Sequence, residues 1–140
     1  MIYFDTSFIA PLFFSENTSD EVGCVIQALS TQELAVSYWT KAEFTSLTAR
    51  RFRMKELTKA DSEKILDEFE EYISTSFETL IPMASDFSLA ITFIKKYETK
   101  LRAGDALHLA IAKNRNVNAF YTLDKQLVSA SKLLGIPVSI

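Results

Sequence analysis

Four acidic residues, Asp5, Glu43, Asp105 and Asp124, occupy positions from which they could act on one substrate. Asp5 directly follows the apolar run Met1-Ile2-Tyr3-Phe4, and Asp124 lies two residues beyond the run Asn118-Ala119-Phe120-Tyr121-Thr122. Asp105 opens a helical segment, Leu101 to Ala110, and Glu43 falls in the first turn of a helix expected after a second strand. Taken singly, each acid has an ordinary explanation. Asp5, Asp105 and Asp124 can cap or charge-stabilise helix N-termini, and Glu43 can pair with Lys41 or Arg50. Taken together at one edge they repel one another, and a hard divalent cation such as magnesium or manganese removes that cost through oxygen ligands. Such an ion suits phosphodiester hydrolysis, because it polarises a phosphoryl oxygen and lowers the pKa of a bound water. No Ser, Cys or His nucleophile is then required. The single histidine, His108, is three residues from Asp105 and could face the same crevice, although a packing or hydrogen-bonding role is the simpler expectation. Ser7 and Thr122 each stand two residues from an acid and could orient a carboxylate or a metal-bound water.

The elements that would position these groups follow from local patterns. Residues 1–4 read as a buried strand ending at Asp5, and 7–14 as an apolar turn or short helix. Asn17 or Ser19 is the expected cap of a helix running to about Leu29, with Val22, Val25, Ile26 and Leu29 inward. A strand over 33–38 precedes a helix from near Thr40 that turns Phe44, Leu47 and Phe52 to the core. Thr58 and Asp61 form a capping-box pattern ahead of the stripe Ile65, Leu66, Phe69, Tyr72 and Ile73. Residues 78–81 make a short strand, and Ser85 is the expected cap of a helix holding Phe87, Ala90, Ile91 and Ile94. A helix from about Gly104 to Asn114, a strand over 118–122, a helix from about Asp124 to Leu134 stopped by Gly135, and a strand over 136–140 complete the chain. This alternation predicts the α/β class: a parallel twisted sheet of about four to five strands sandwiched between helices. Sites in such sheets form at the carboxyl ends of strands, which is where these acids fall.

Composition sets the outer bounds. The 140 residues fit one domain spanning 1–140, and a 48% hydrophobic content with eleven Phe and five Tyr supplies a substantial core. One cysteine cannot form an internal disulfide, and with one His it argues against structural zinc. Cys24 is expected in the core beside Val22, Val25 and Ile26. Neither a basic leader nor an apolar run of about 20 residues is visible, so a cytoplasmic protein is the expectation. A net charge of −3 weighs mildly against a polyanionic partner. However, Lys41, Arg50, Arg51, Arg53, Lys55, Lys59 and Lys64 are concentrated in one stretch, and Arg50, Arg51, Arg53 and Lys55 could guide a phosphate backbone past the acids.

Four motifs in this order resemble the PIN-domain family. Phe4-Asp5-Thr6-Ser7 resembles its opening motif, and Lys41-Ala42-Glu43-Phe44 its helix-borne glutamate. Arg102-Ala103-Gly104-Asp105-Ala106-Leu107-His108-Leu109-Ala110 resembles the central acidic motif. Thr122-Leu123-Asp124 resembles the last, followed by the typical ending Leu133-Leu134-Gly135-Ile136-Pro137-Val138. The resemblance covers essentially the whole chain, at the length of a VapC-type toxin. It implies a magnesium- or manganese-dependent endoribonuclease acting on RNA, with Asp5, Glu43, Asp105 and Asp124 as its acidic set. It also implies metal ligation by Asp5, Asp105 and Asp124, support from Ser7 and Thr122, a homodimer, and a cognate antitoxin protein that blocks the site. The apolar segment Ile9-Ala10-Pro11-Leu12-Phe13-Phe14 is an expected dock for that antitoxin. A haloacid dehalogenase-like phosphatase also places an aspartate after the first strand, but it needs a second acid two residues later, where this chain has Ser7. A catalytically inactive PIN-fold binding module is the non-enzymatic alternative; metal-dependent cleavage of RNA separates it and the phosphatase from a ribonuclease, and a substrate comparison settles the third alternative, a DNA-directed nuclease.

Overall fold

The computed structural model describes residues 1–139, and its centre is a five-stranded, wholly parallel sheet. The strands are β1 (Ile2–Phe4), β2 (Leu34–Ser37), β3 (Glu78–Leu80), β4 (Ala119–Tyr121) and β5 (Val138–Ser139), in the order β3-β2-β1-β4-β5. Register is fixed by pairs such as Ile2 with Leu34 and Tyr3 with Phe120. The expected α/β sandwich is therefore the one observed. Of the last expected strand, residues 136–140, Ile140 lies outside the described residues.

Seven α-helices cover the sheet: α1 (Thr6–Ile9), α2 (Ser19–Ala28), α3 (Tyr38–Arg53), α4 (Lys59–Ser76), α5 (Ala84–Lys95), α6 (Ala103–Asn114) and α7 (Lys125–Leu133). A short 3-10 turn, Ala10–Leu12, extends α1. Successive strand residues face opposite sides, so Ile2 and Phe4 pack with α1 to α4 while Tyr3 packs with α5, α6 and α7. The first core is aromatic: Phe44 of α3 stacks on Phe69 of α4 at 4.0 Å, with Phe13 edge-on to both. On the other face, Asp86 of α5 is fully buried. It accepts from Arg115 at 2.8 and 3.0 Å, from Asn114 at 2.7 Å and from the Met83 N–H at 2.8 Å, joining the start of α5 to the end of α6.

Several sequence expectations are corrected. Cys24 is exposed: α2 turns Val22 and Ile26 inward, and a residue midway between two positions four apart points to the opposite side. Helix α3 starts at Tyr38, capped by Ser37, so Glu43 stands in its second turn. Its inner face is Thr40, Phe44 and Thr48, whereas Phe52 is 44% exposed because it lies in the last turn, beyond the core. Neither Asn17 nor Ser19 caps α2, whose N-cap Thr18 makes no side-chain bond. Ser85 does not cap α5, where the Asp86 carboxylate reaches back to Met83 instead. Phe87 and Ile91 are about half exposed. In the segment Ile9–Phe14, residues Ile9, Ala10, Pro11 and Phe14 are buried as core, which removes it as a continuous dock. Two expectations hold in detail. Thr58 and Asp61 form their capping box, and Gly135 at φ 67° ends α7, with Ile136 N–H bonding Ser131 O as in a Schellman stop.

Candidate active site

The strand order reverses at β1, which has β2 on one side and β4 on the other, and the crevice beyond such a switch point is the natural ligand site of an open α/β sheet. Asp5 leaves the end of β1 there, its N–H still bonded to Tyr121 O of β4 at 3.1 Å. It is only 3% exposed. Oδ1 accepts from Ser7 Oγ at 2.8 Å and from the Phe8 N–H at 3.1 Å, so Asp5 does cap α1; Oδ2 accepts from Thr122 Oγ1 at 2.6 Å. The two hydroxyls are 3.1 Å apart, and each is reinforced by a backbone N–H, Leu123 to Ser7 at 3.0 Å and Asp124 to Thr122 at 3.1 Å. The fourfold pattern Asp5, Ser7, Thr122, Asp124 is thus one network. Asp124 in turn caps α7, its Oδ1 accepting from Gln126 and Leu127.

Glu43 is held from the neighbouring side. Oε1 accepts from Thr6 Oγ1 at 2.6 Å and from His108 Nε2 of α6. Burial alone would raise its pKa, but the His108 hydrogen bond and charge, with the Thr6 bond, hold the carboxyl below its usual range. Oε2 lies against the first turn of α6, 3.3 Å from where a Cβ on Gly104 would be. The same Cβ would be 3.2 Å from the Trp39 ring, whose Nε1 donates to Gly104 O at 3.2 Å. Gly104 is therefore needed for close approach.

Asp105, next along α6, is half-buried. Burial first, then the charge of Asp124, raises its pKa; Glu43 adds to the rise, and His108 and Arg102 oppose it. Asp5 is likewise raised, chiefly by burial, against the lowering effects of His108, Thr122, Ser7 and the Phe8 amide. Asp105 thus feels the charges of both Asp124 and Glu43, while Asp5 lies buried at the end of β1. Among the described residues, no group of three or more His, Cys, Asp or Glu side chains is placed so that it could hold a metal ion. Both Asp5 oxygens, Glu43 Oε1 and Asp124 Oδ1 already accept hydrogen bonds. The donor chemistry nonetheless fits a hard divalent cation: the donors are oxygens, and burial raises the pKa of Asp5 and Asp105, a cost to their charged forms that a bound cation would offset.

The basic run lies along and beyond the far end of α3. Arg50 is two turns from Glu43 on the same face, about 10 Å along the axis. Arg51 is occupied by Glu16 at 3.1 Å and by the Phe14 ring, whereas Arg53 and Lys55 are exposed. Lys41, Lys59 and Lys64 pair with Glu70, Glu63 and Glu68. Sequence reasoning missed Thr6, Tyr3, Trp39 and Gly104. A glycine in the first turn of a helix, next to a candidate acid, was the one available signal, since that position gains nothing from glycine unless another side chain comes close.

The sequence matches the PIN domain family over residues 2–133. No curated protein sequence matches the chain. Among solved structures it resembles FitAcB from Neisseria gonorrhoeae, at 20% identity and TM-score 0.77, covering 100% of this chain and 97% of that one. VapBC2 from Rickettsia felis, bound to a DNA fragment from its promoter, is similar at 15% identity and TM-score 0.76, covering 99% and 98%. VapC20 of Mycobacterium tuberculosis, described as a sarcin-ricin loop cleaving toxin, is similar at 18% identity and TM-score 0.74, covering 93% and 95%. These likenesses share the fold of a parallel sheet between helices, and with the match that spans nearly the whole sequence they lead to one conclusion: the chain belongs to the PIN domain family.

Proposed function

We propose that this protein is a metal-dependent endoribonuclease, and the toxin of a toxin–antitoxin pair. The reading is supported by the place of Asp5 at the end of β1, beside the switch point, and by the charges of Asp124 and Glu43 acting on Asp105, with Asp5 and Asp105 both raised above the usual carboxylate range. Asp5, Asp105 and Asp124 would hold magnesium or manganese. When bound, that ion supplies Lewis-acid polarisation of the phosphodiester and a water of lowered pKa. Ser7 and Thr122 fix the rotamer of Asp5 through their hydroxyls. Glu43, ionised and open at Oε2, can accept a proton from the attacking water. The similarity to VapC20, a cleaver of the sarcin-ricin loop, supports RNA as the substrate. Purified protein should cut a generic RNA only with magnesium or manganese, and equally long single-stranded DNA far more slowly. No cleavage of RNA with either metal would sink the reading.

Two further expectations belong to the same reading. Gly104→Ala should move Glu43 or Trp39 by a few tenths of an ångström, lowering cleavage about tenfold. The melting temperature should hold, since alanine favours the helix by about 1 kcal/mol. Unchanged cleavage would show that the close approach is immaterial. Neutralising Arg50, Arg53 and Lys55 together should weaken RNA binding and flatten its salt dependence, with Mn2+ affinity unchanged. An identical salt slope in wild type and variant would leave the run as mere surface.

The described residues contain no helix long and apolar enough to cross a membrane; a cytoplasmic location belongs to the toxin reading itself. An antitoxin would occupy the crevice with an arginine or lysine near Asp5 and Asp105, in competition with metal. Excess magnesium should then release nuclease activity from the co-expressed complex. A complex that retains metal and still admits RNA would exclude this mode of inhibition. A homodimer would use the exposed apolar residues Ile81, Met83, Phe87 and Ile91. Phe87→Glu should convert dimer to monomer in sedimentation, and a variant that remains dimeric would place the interface elsewhere.

A further inference from the structure

Four side chains form a closed loop behind the crevice. Ser37, the N-cap of α3, accepts from Tyr3 Oη at 2.9 Å. The same Tyr3 oxygen lies 2.7 Å from His108 Nδ1, and His108 Nε2 meets Glu43 Oε1, which returns the chain of bonds to α3. Tyr3 and His108 are 0% and 1% exposed, and no buried side-chain polar atom among the described residues lacks a partner. A carboxylate has no proton to give, so Nε2 donates to Glu43, and the ring is turned to do so by the Tyr3 hydroxyl at its other nitrogen. Thr6 adds a second donor to Oε1. One Glu43 oxygen is therefore fully engaged, while the other lies against Gly104 in the first turn of α6.

We propose that His108, oriented by Tyr3, is a positioning residue that engages Glu43 Oε1 so that Oε2 is presented to the crevice. This inference rests on the nuclease reading for its rate effects, although the geometry it describes does not. The loop also explains why a histidine is completely buried on a helix that otherwise packs apolar side chains here, Leu107, Leu109 and Ile111. A buried histidine needs partners for its nitrogens whatever its role, and what marks this one is that its Nε2 partner is the carboxylate of Glu43. Its removal should act through Glu43 and through nothing else.

The test is a double-mutant cycle. His108→Phe keeps an aromatic ring but donates nothing. Tyr3→Phe is the milder variant, because its ring can remain stacked on Phe120. Each should lower kcat by about 10- to 100-fold with little change in KM, the usual cost of losing a group that orients a site ligand. In a Glu43→Ala background, either change should then cost less than roughly twofold, because the residue through which it acts is gone. Losses that multiply independently of Glu43 would overturn the proposal and leave His108 a packing residue. A readout independent of turnover is the Nε2–H resonance of His108 by proton–nitrogen NMR. In wild type it should be a protected, strongly downfield signal that shifts in both Glu43→Ala and Tyr3→Phe. If RNA cleavage is absent in wild type but this coupling is present, the function reading fails and the positioning geometry stands. If the signal is indifferent to Glu43, the positioning proposal fails whatever the enzyme cleaves.

Discussion

Replacing Asp5 with asparagine is expected to reduce RNA cleavage by about a hundredfold or more, roughly 3 kcal/mol of transition-state stabilisation, while the metal-free protein melts at the same temperature or higher. The two effects have one cause. Asp5 is buried, and burial outweighs the three hydrogen bonds that favour its charged form, so its pKa is raised. A carboxyl with a raised folded value binds protons in the native state that the unfolded chain has already released. Metal-free stability therefore falls as pH rises from the ordinary aspartate value to the folded one. Asparagine avoids that loss, so its advantage should appear at neutral pH and vanish in acid, where both side chains are neutral. Asp105→Asn should behave alike, because burial and the charge of Asp124 raise Asp105 in the same direction. Thermal melts in a chelator across pH, beside cleavage assays in manganese, check both halves. Activity retained in both variants would remove these acids from the site; a large loss of metal-free stability would mean that hydrogen bonding, not charge burial, dominates there.

The opposite sign is expected at Asp86. Burial alone would raise its pKa, but the Met83 amide, Asn114 and Arg115 together hold it below its ordinary range. Its contribution is thus present above the unfolded aspartate value and disappears as pH falls through the lower folded value. Asp86→Ala should cost about 3–5 kcal/mol at neutral pH, since it removes a fully buried carboxylate and leaves Arg115, only 22% exposed, without its partner. For a domain of this size that is a fall of about 10–17 °C in melting temperature. The deficit should shrink toward acid, and cleavage per folded molecule should stay unchanged, because Asp86 meets the C-terminal end of α6 whereas Asp105 stands at its N-terminal end. A loss below about 1 kcal/mol would mean that Asn114 and Arg115 find water as readily as Asp86.

The acids can be placed from sequence because each stands at a break in an apolar pattern: Asp5 ends a strand run, and Asp124 follows one. A polar group at the end of a buried strand has few roles other than capping or chemistry, and here both acids cap. The support behind Glu43 cannot be read in the same way. Met1-Ile2-Tyr3-Phe4 is apolar throughout because both faces of a parallel sheet are buried, so nothing in it reveals that Tyr3 points away from Ile2 and Phe4. Without that phase, the hydroxyl that orients His108 has no visible destination. The start of α3 is hidden for a related reason. Ser37 is at once the last residue of β2 and the helix cap, so no turn residue marks the junction. Cys24 is the converse case, in which adjacency to apolar neighbours does not amount to a shared face.

The pairing of β1 with β4 has a consequence for when the site comes into being. Thr122 is 117 positions from the Asp5 that it bonds, so β4 joins β1 only after all the residues between them have been synthesised. Contacts so distant in sequence form slowly and late. A nascent chain that has not yet reached Thr122 therefore carries Asp5 and Glu43 without the hydroxyl that fixes Asp5 or the acid that follows it. Until β4 docks on β1, the bond that holds Asp5 through Thr122 does not exist, so any activity that needs it begins only after that part of the chain has left the ribosome.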